Sequence, residues 1–206
     1  PDRQGAGIGR RLMDAILAAA GERTMLLNAT VAGMPLYEKL GFVACGRVRQ
    51  HQGPLGAVPP VPPGAGTVRA PAPDEAGLVA ALDALAFGAP RTALLDRLAA
   101  AGRVALLERD ARIAGVGLSR PFGRGHLVGP VAAADAAGAQ ALIAHLLALL
   151  DGFVRIDLAT GAGALAPWLE GAGLAFAGEA VTMARGMPLA CDPSIRHYAI
   201  AAQALG

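Results

Sequence analysis

The sequence is poor in lysine and in aromatic residues, and this scarcity excludes one class of function. All but one of its 18 Lys and Arg residues are arginines, Lys39 being the exception, and no run of basic residues exceeds two. Aromatic residues make up 4% of the 206 residues, and the formal net charge is +2. Nucleic-acid binding needs clustered positive charge, and single-strand binding adds stacking rings. We therefore expect no nucleic-acid partner.

Cysteines and long apolar runs are also scarce. Cys45 and Cys191 are too few to form a disulfide framework in a chain of this length, so we interpret them as buried, reduced thiols. The longest apolar run, residues 141–150, contains His145 and is too short to cross a bilayer. No signal-peptide pattern is visible at the N-terminus. We expect a cytoplasmic protein without a membrane partner.

A glycine-rich stretch near the N-terminus is the first positive signal. Residues 4–11 read QGAGIGRR, and Ile8, Leu12 and Ile16 then recur at helical spacing. A glycine-rich turn that feeds a helix presents unpaired N–H groups at the positive end of the helix dipole, where phosphate binds. A Walker loop is excluded because no Lys-Ser/Thr follows, and the glycine spacing fits a dinucleotide fingerprint poorly. Alone, the stretch is equally consistent with a turn that only starts a helix.

Downstream residues give this stretch a context. Residues 24–27 predict a short apolar strand, residues 28–35 a loop, and residues 36–42 read LYEKLGF. Together, Gln-x-x-Gly-x-Gly opening a helix, the apolar strand and LYEKLGF resemble the GNAT family of acetyl-CoA-dependent N-acetyltransferases. The resemblance runs from Gln4 to about Gly46 and covers the back half of such a domain.

The resemblance implies a co-substrate site and one catalytic residue. Residues assigned to acetyl-CoA are Gln4, Gly5, Ala6, Gly7, Ile8, Gly9, Arg10 and Asn28. The N–H groups of the loop would bind the pyrophosphate, and Asn28 would orient the pantetheine arm or Tyr37, unless it only caps a loop. Tyr37 stands at the family's tyrosine general acid, a phenol that protonates the departing thiolate, unless it is a core tyrosine. No metal is expected, because the histidines show no metal-ligand spacing.

Proline divides the chain into segments. Residues 53–66 contain five prolines and four glycines and predict a stiff linker. Beyond it, the predicted order is strand, two helices, three strands, helix, strand, helix and a hairpin over residues 174–187, which is similar to the complete GNAT topology. We therefore expect an α/β class with a GNAT-like mixed sheet: residues 1–52 as the C-terminal part of one domain, 53–66 as linker and 67–206 as a second domain.

A weak internal repeat supports two copies of one domain. At an offset of 130 positions Leu12, Met13, Ile16 and Leu17 match Leu142, Ile143, Leu146 and Leu147, and with two more positions Glu38, Gly41 and Gly46 match Glu170, Gly173 and Gly178. In the second copy Asp135 falls among the residues opposite the glycine loop and Leu169 falls opposite Tyr37. A carboxylate would repel a pyrophosphate and leucine has no proton to give, so we expect the second copy to be degenerate.

The first copy reads as incomplete. Four strands and two helices should precede Gln4, so we expect either a truncated chain or strands supplied by another chain. The base that deprotonates the acceptor amine would come from those strands, and none is assigned. Residues 47–52 predict an edge strand or a hairpin arm, on which His51 is either solvated or a candidate for the acceptor pocket.

The function that follows from the resemblance is N-acetyl transfer from acetyl-CoA to a primary amine by direct attack. The acceptor is either a small molecule or a protein amine, and a homodimer is allowed. One alternative is a non-catalytic module that binds acyl-CoA as a sensor or regulator. Two others are a nucleotide-dependent oxidoreductase using the glycine stretch and a structural fragment whose function resides in a partner chain.

Overall fold

The computed structural model describes residues 7–206, and within that range nine strands form one mixed sheet with helices on both faces. The helices are α1 Ile8–Ala20, α2 Met34–Glu38, α3 Ala76–Phe87, α4 Thr92–Ala100, α5 Ala136–Leu147 and α6 Ala166–Gly171. The strands are β1 Met25–Ala29, β2 Val43–Pro54, β3 Thr67–Arg69, β4 Arg103–Arg109, β5 Arg112–Pro121, β6 His126–Ala133, β7 Phe153–Leu158, β8 Ala175–Arg185 and β9 Arg196–Ala199.

The strand order across the sheet is β1-β8-β2-β7-β9-β6-β5-β4-β3. All neighbouring pairs are antiparallel except β6 and β7, which run parallel where His126–Val128 pairs with Val154–Ile156. Beyond that short contact the two strands separate, and β9 lies between them, antiparallel to both. The C-terminal strand therefore fills the opening between β6 and β7.

Two strand predictions were wrong for the same reason. β2 is an interior strand, paired with β7 on one side and with β8 on the other, instead of an edge strand. Residues 174–187 do not form a hairpin, because β8 is one long strand that pairs with β1 and β2. In both cases the hydrogen-bonding partner comes from the other end of the chain, which local sequence patterns do not reveal.

Three hydrophobic clusters hold the layers together. One lies where α5 and α6 cover the sheet, a second lies under α3 and α4, and a third lies under α1 and α2. In α1 the packed residues are Met13 and Leu17. Ile8, Leu12 and Ile16, which were predicted to share one apolar face, are exposed in the described chain.

Equivalent hydrogen bonds close the turns after α2 and α6. The Phe42 N–H donates to the Tyr37 carbonyl at 3.0 Å, and the Leu174 N–H donates to the Leu169 carbonyl at 2.9 Å. At the centre of the sheet Val48 pairs directly with a residue 132 positions later, Ala180, and the same offset relates Glu38 to Glu170. The segments β1-α2-β2 and β7-α6-β8 therefore contain the same turn, and β2 and β8 pair at the centre of the sheet.

The proline-rich segment is packed against the protein. Leu55, Val58 and Val61 contact the cluster under α5 and α6. The Trp168 indole N–H donates to the Pro60 carbonyl at 3.1 Å. These contacts fix the path of the chain between β2 and β3.

The two turn glycines allow a matched test of the fold. Gly41 has φ 82° and Gly173 has φ 88°, so alanine at either position is strained by about 1–2 kcal/mol. A Cβ at Gly41 would meet only the flexible Arg185 side chain at 3.6 Å, whereas at Gly173 it would lie 2.7 Å from the Pro54 carbonyl oxygen. Gly173→Ala should therefore lower the free energy of unfolding clearly more than Gly41→Ala. Denaturant unfolding measures both, and equal losses would contradict the described packing.

Candidate active site

Among residues 7–206, the N-terminus of α1 is open. Gly7 occupies the N-cap with φ 70°, no side chain of these residues caps the helix, and the first turn holds no acidic residue. The first N–H groups of a helix have no partner within the helix, so those that follow Gly7 are available to an anion. Gly7, Ile8, Gly9 and Arg10 are all exposed. The sequence-predicted residues Gln4, Gly5 and Ala6 lie outside the described residues.

This helix end lies at the same end of the sheet as the other predicted site residues. A short connection joins α1 to β1, and Met13 and Leu17 pack in the cluster that contains Met25 and Leu27 of β1. The helix therefore runs back along the strand, which brings its N-terminus to the C-terminal end of β1. A Cβ on Gly9 would lie 3.6 Å from the Leu36 Cδ2 atom of α2.

Asn28 is half-buried and is the next-to-last residue of β1. Its Nδ2 atom donates to the Gln203 carbonyl at 2.8 Å, and its Oδ1 atom accepts from the Thr182 hydroxyl at 2.8 Å. These partners come from β8 and the C-terminal segment. Asn28 thus does not orient Tyr37, one of the roles suggested for it.

Tyr37 lies on the opposite face of β1 from Asn28. Its half-buried ring packs in the cluster of Leu27 and Ala29, and it meets the Phe42 ring edge-on at 6.0 Å. Side chains alternate between the faces of a strand, so Asn28 points to the other side. In residues 7–206 the Tyr37 hydroxyl makes no hydrogen bond, which leaves it free to act on a ligand.

The N-terminus of α5, by contrast, is occupied. Asp135 caps α5 by accepting the Gly138 N–H at 2.8 Å. Arg109 also binds this carboxylate, with its Nη2 atom 3.2 Å from Oδ1. The hydrogen bonds from Arg109 and Gly138 lower the pKa of Asp135. Leu169, the counterpart of Tyr37, is fully buried. The two helix ends therefore differ in what they can bind.

A cavity of about 580 Å³ opens on the Asn28 side of β1. Its lining combines strands β1, β2, β8 and β9 and the end of α3 with the C-terminal segment: Leu26, Leu27, Asn28, Val48, Phe87, Thr182, His197, Ile200, Gln203, Ala204, Leu205 and Gly206. Behind the imidazole of His197 lies Asp83, paired with Arg91. Sequence reasoning missed this group, because Asp83 and His197 are 114 positions apart and share no motif.

His51, Cys45 and Cys191 were also singled out in the sequence. His51 is fully buried; its Nδ1 atom lies 3.2 Å from the Leu174 carbonyl, and burial lowers its pKa. Cys45 and Cys191 are free but exposed, so their predicted burial was wrong; Cys45 lies at an irregularity of β2 that turns it outward. Within residues 7–206, no cluster of His, Cys, Asp or Glu suited to a metal is found, and no helix is long and apolar enough to cross a membrane.

Comparison with protein families decides the relationship. Two models of the acetyltransferase (GNAT) domain match the sequence, one over residues 79–199, more than half of the chain, and the other over residues 1–56. The chain belongs to the GNAT acetyltransferase family. This is a family of acyltransferase enzymes. The match over residues 1–56 includes both the glycine-rich stretch and Tyr37.

Individual GNAT relatives agree with this assignment. The uncharacterized N-acetyltransferase YitH of Bacillus subtilis strain 168 is 34% identical over 158 residues, which are 75% of this chain and 56% of YitH. The chain thus spans little more than half of that relative.

Solved structures share the fold. A proposed acetyltransferase from Pyrococcus horikoshii superposes with TM-score 0.77 at 22% identity, covering 98% of this chain and 68% of the other. A GCN5-related N-acetyltransferase from Sphaerobacter thermophilus superposes with TM-score 0.60 at 16% identity, covering 93% and 73%. At these identities the likeness concerns the fold alone.

Replacing Asp135 tests the capped helix end. Loss of an N-cap side chain destabilises a helix by about 0.5–2 kcal/mol, and Asp135→Ala should lower the free energy of unfolding by that amount at pH 7. Because the folded pKa of Asp135 is lowered, its contribution is present above the unfolded pKa and is lost as the pH falls through the folded pKa. Denaturant unfolding across acidic pH measures this, with exposed Asp151→Ala as control. A loss independent of pH would argue against the cap.

Proposed function

We propose that the protein transfers an acetyl group from acetyl-CoA to a primary amine by direct attack of the amine on the thioester. The observation that carries the proposal is the uncapped, exposed N-terminus of α1 beside Tyr37, in a chain of the GNAT family. The acceptor is a small-molecule or protein amine. The family assignment leaves the oxidoreductase alternative without support.

The residues of α1 would hold the pyrophosphate. The N–H groups of Ile8, Gly9 and Arg10 are the donors, supplemented by the loop before them and by the Gln4 side chain. Glycine at position 9 lets phosphate oxygens approach the backbone, because no Cβ intervenes. Arg10 adds a positive charge at this end, although it also pairs with Asp14 at 3.0 Å. The partial positive charge of the helix end favours the bound anion.

Tyr37 would complete the transfer. The neutral amine forms the new C–N bond, the C–S bond breaks, and the thiolate takes a proton. A phenol is a suitable donor, since its ordinary pKa of about 10 lies above that of a thiol. The hydroxyl is free of partners in the described chain, so it need not break an existing hydrogen bond to act.

We further propose that the chain contains two copies of the domain, with the second one degenerate. The equivalent turns after α2 and α6, and the Val48–Ala180 pairing at the repeat offset, support this proposal. Asp135 at the α5 end and β9 between β6 and β7 would leave the second copy without a place for acetyl-CoA.

The free thiols are consistent with a cytoplasmic location.

A pair of substitutions at Gly9 tests the pyrophosphate site. A Cβ there makes only an ordinary contact, so both Gly9→Ala and Gly9→Asp should fold. An aspartate at the helix N-terminus stabilises the helix by about 0.3–1 kcal/mol through the helix dipole, but it repels a diphosphate. Calorimetric titration with acetyl-CoA should show an affinity at least about tenfold weaker for Gly9→Asp than for Gly9→Ala. Equal affinities would place the phosphates elsewhere.

Removing the Tyr37 hydroxyl tests the catalytic role. Tyr37→Phe should lower kcat by about 10²–10⁴-fold and leave the acetyl-CoA affinity unchanged, because general acid catalysis acts on the chemical step. Thiol release from acetyl-CoA measures turnover. Tyr198→Phe removes the other phenol, which accepts a bond from Arg196 at 3.0 Å, and should leave kcat near its original value. Unchanged turnover in Tyr37→Phe, or acetyl-CoA binding without any turnover in the unmodified protein, would favour the non-catalytic module.

A further inference from the structure

The cavity beside Asn28 contains a buried histidine–carboxylate pair. The His197 Nε2 atom lies 2.9 Å from the Asp83 Oδ1 atom, and their side chains are 9% and 1% exposed. Arg91 binds the same carboxylate with two N–H groups, at 2.6 and 2.8 Å. Burial raises the pKa of Asp83, but the hydrogen bonds from Arg91 and His197, together with their charges, outweigh it and lower the pKa. Asp83 is therefore ionised at neutral pH.

An ionised Asp83 fixes the tautomer of His197. A carboxylate only accepts hydrogen bonds, so the proton of a neutral imidazole must sit on Nε2. The other nitrogen, Nδ1, then carries a lone pair, and in residues 7–206 it has no hydrogen-bonding partner. His197 lines the cavity, and Nδ1 is the ring nitrogen that the bond to Asp83 leaves unoccupied. This is the arrangement of a histidine base oriented by a carboxylate.

The cavity and Tyr37 lie on opposite faces of β1, so two groups could act on a bound thioester from opposite sides. Asn28 lines the cavity, whereas Tyr37 lies on the other face of the same strand. A thioester held at the C-terminal end of β1 could be approached by a nucleophile from the cavity while its sulfur faces the phenol. Base and acid would then act on opposite sides of the reacting carbonyl.

We infer that this cavity binds the acceptor amine and that His197 is the catalytic base that deprotonates it, with Asp83 and Arg91 as positioning residues. The inference rests on the proposed acetyl transfer. An ammonium acceptor gives one proton to His197 Nδ1, which passes it to solvent, and the neutral nitrogen forms the C–N bond. As the C–S bond breaks, the thiolate takes the Tyr37 proton, and the second nitrogen proton restores the phenol.

The lining of the cavity also indicates the class of acceptor. Leu26, Phe87 and Ile200 supply apolar surface, whereas Thr182 and Gln203 supply a few polar groups. Among the described residues of the lining there is no Asp or Glu side chain to attract a second ammonium group. The cavity therefore suits a single primary amine carried on an apolar chain or ring, in preference to a polyamine.

Few other charges surround the imidazole. From α3 and the segment after it come Asp83 and Arg91, while β1 and β8 contribute only uncharged residues to the lining. On neighbouring parts of the chain, Arg120 donates to the Ala201 carbonyl at 3.1 Å, and Arg196 stacks over the Tyr198 ring. The charged groups nearest the imidazole are therefore Asp83 and, through it, Arg91.

The substitution His197→Gln tests the base. A glutamine amide can still donate to Asp83 from near the position of Nε2, but it cannot accept a proton. Thiol release from acetyl-CoA is followed with 2-phenylethylamine and with spermidine. We expect kcat/KM for 2-phenylethylamine to fall by about 10²-fold at pH 7, and to recover as the pH approaches the pKa of the amine. The acetyl-CoA affinity should not change, and His145→Gln on α5 serves as the matched control.

Each outcome separates the two proposals. If the unmodified protein acetylates 2-phenylethylamine and His197→Gln retains its rate and pH profile, His197 is not the base, whereas acetyl transfer stands. A preference for spermidine would overturn the assigned acceptor class. Absence of turnover with both amines together with absence of acetyl-CoA binding would overturn the proposed function itself.

A measurement on the unmodified protein covers a variant that fails to fold. Imidazole ¹⁵N spectra of the neutral ring should show the proton of His197 on Nε2 and none on Nδ1. The Nδ1 resonance should shift when N-acetyl-2-phenylethylamine, the expected product, is added. A proton on Nδ1, or a resonance that does not respond to the product, would contradict the inference.

Discussion

The pairing of β2 with β8 is the interaction on which the rest of the structure depends. It joins residues 43–54 to residues 175–185 at the middle of the sheet, where Val48 and Ala180 are 2% and 5% exposed. β8 also carries β1 on its other edge, and β2 carries β7. Among the described strands, β1 pairs with β8 alone, and that position sets Asn28 against Thr182 and opens the cavity toward the C-terminal segment. Interior strands whose partners come from both ends of the chain make the site a product of the whole sheet.

The chemical difference between two similar helix ends explains why one of them is assigned to the co-substrate. Both helices begin beside the sheet, but α5 has its own carboxylate as a cap and an arginine that holds it, whereas α1 begins at a glycine without a side-chain cap. An anion at α5 would have to displace Asp135 and then face it. At α1, among the described residues, it would meet main-chain donors and the positively charged side chain of Arg10. A capped end stabilises its helix, and an uncapped end leaves its donors for a ligand.

Features set by neighbouring residues could be predicted from the sequence. The predicted order of strand, two helices, three strands, helix, strand and helix beyond residue 66 is confirmed. Between β4 and β5, Asp110 and Ala111 have positive φ values of 51° and 56°, which a two-residue hairpin turn requires. Features set by distant partners could not be predicted. The polar alternation of β2 favours an edge strand, because it suggests solvent on one side. The residues of β8 favour a hairpin, because no partner strand is visible locally. Asp83 and His197 were missed for the same reason, since each is an ordinary residue of its own element until the sheet closes. The pyrophosphate residues and Tyr37 remain predictions from the family pattern.

Backbone amide spectra of the ¹⁵N-labelled protein during an acetyl-CoA titration test the central claim most directly. If the α1 end binds the pyrophosphate, the amide resonances of Ile8, Gly9 and Arg10 should shift strongly, whereas those at the start of α5, from Ala136 to Gly138, should stay in place. Shifts at the α5 end without shifts at α1, or no response at either end, would contradict the account.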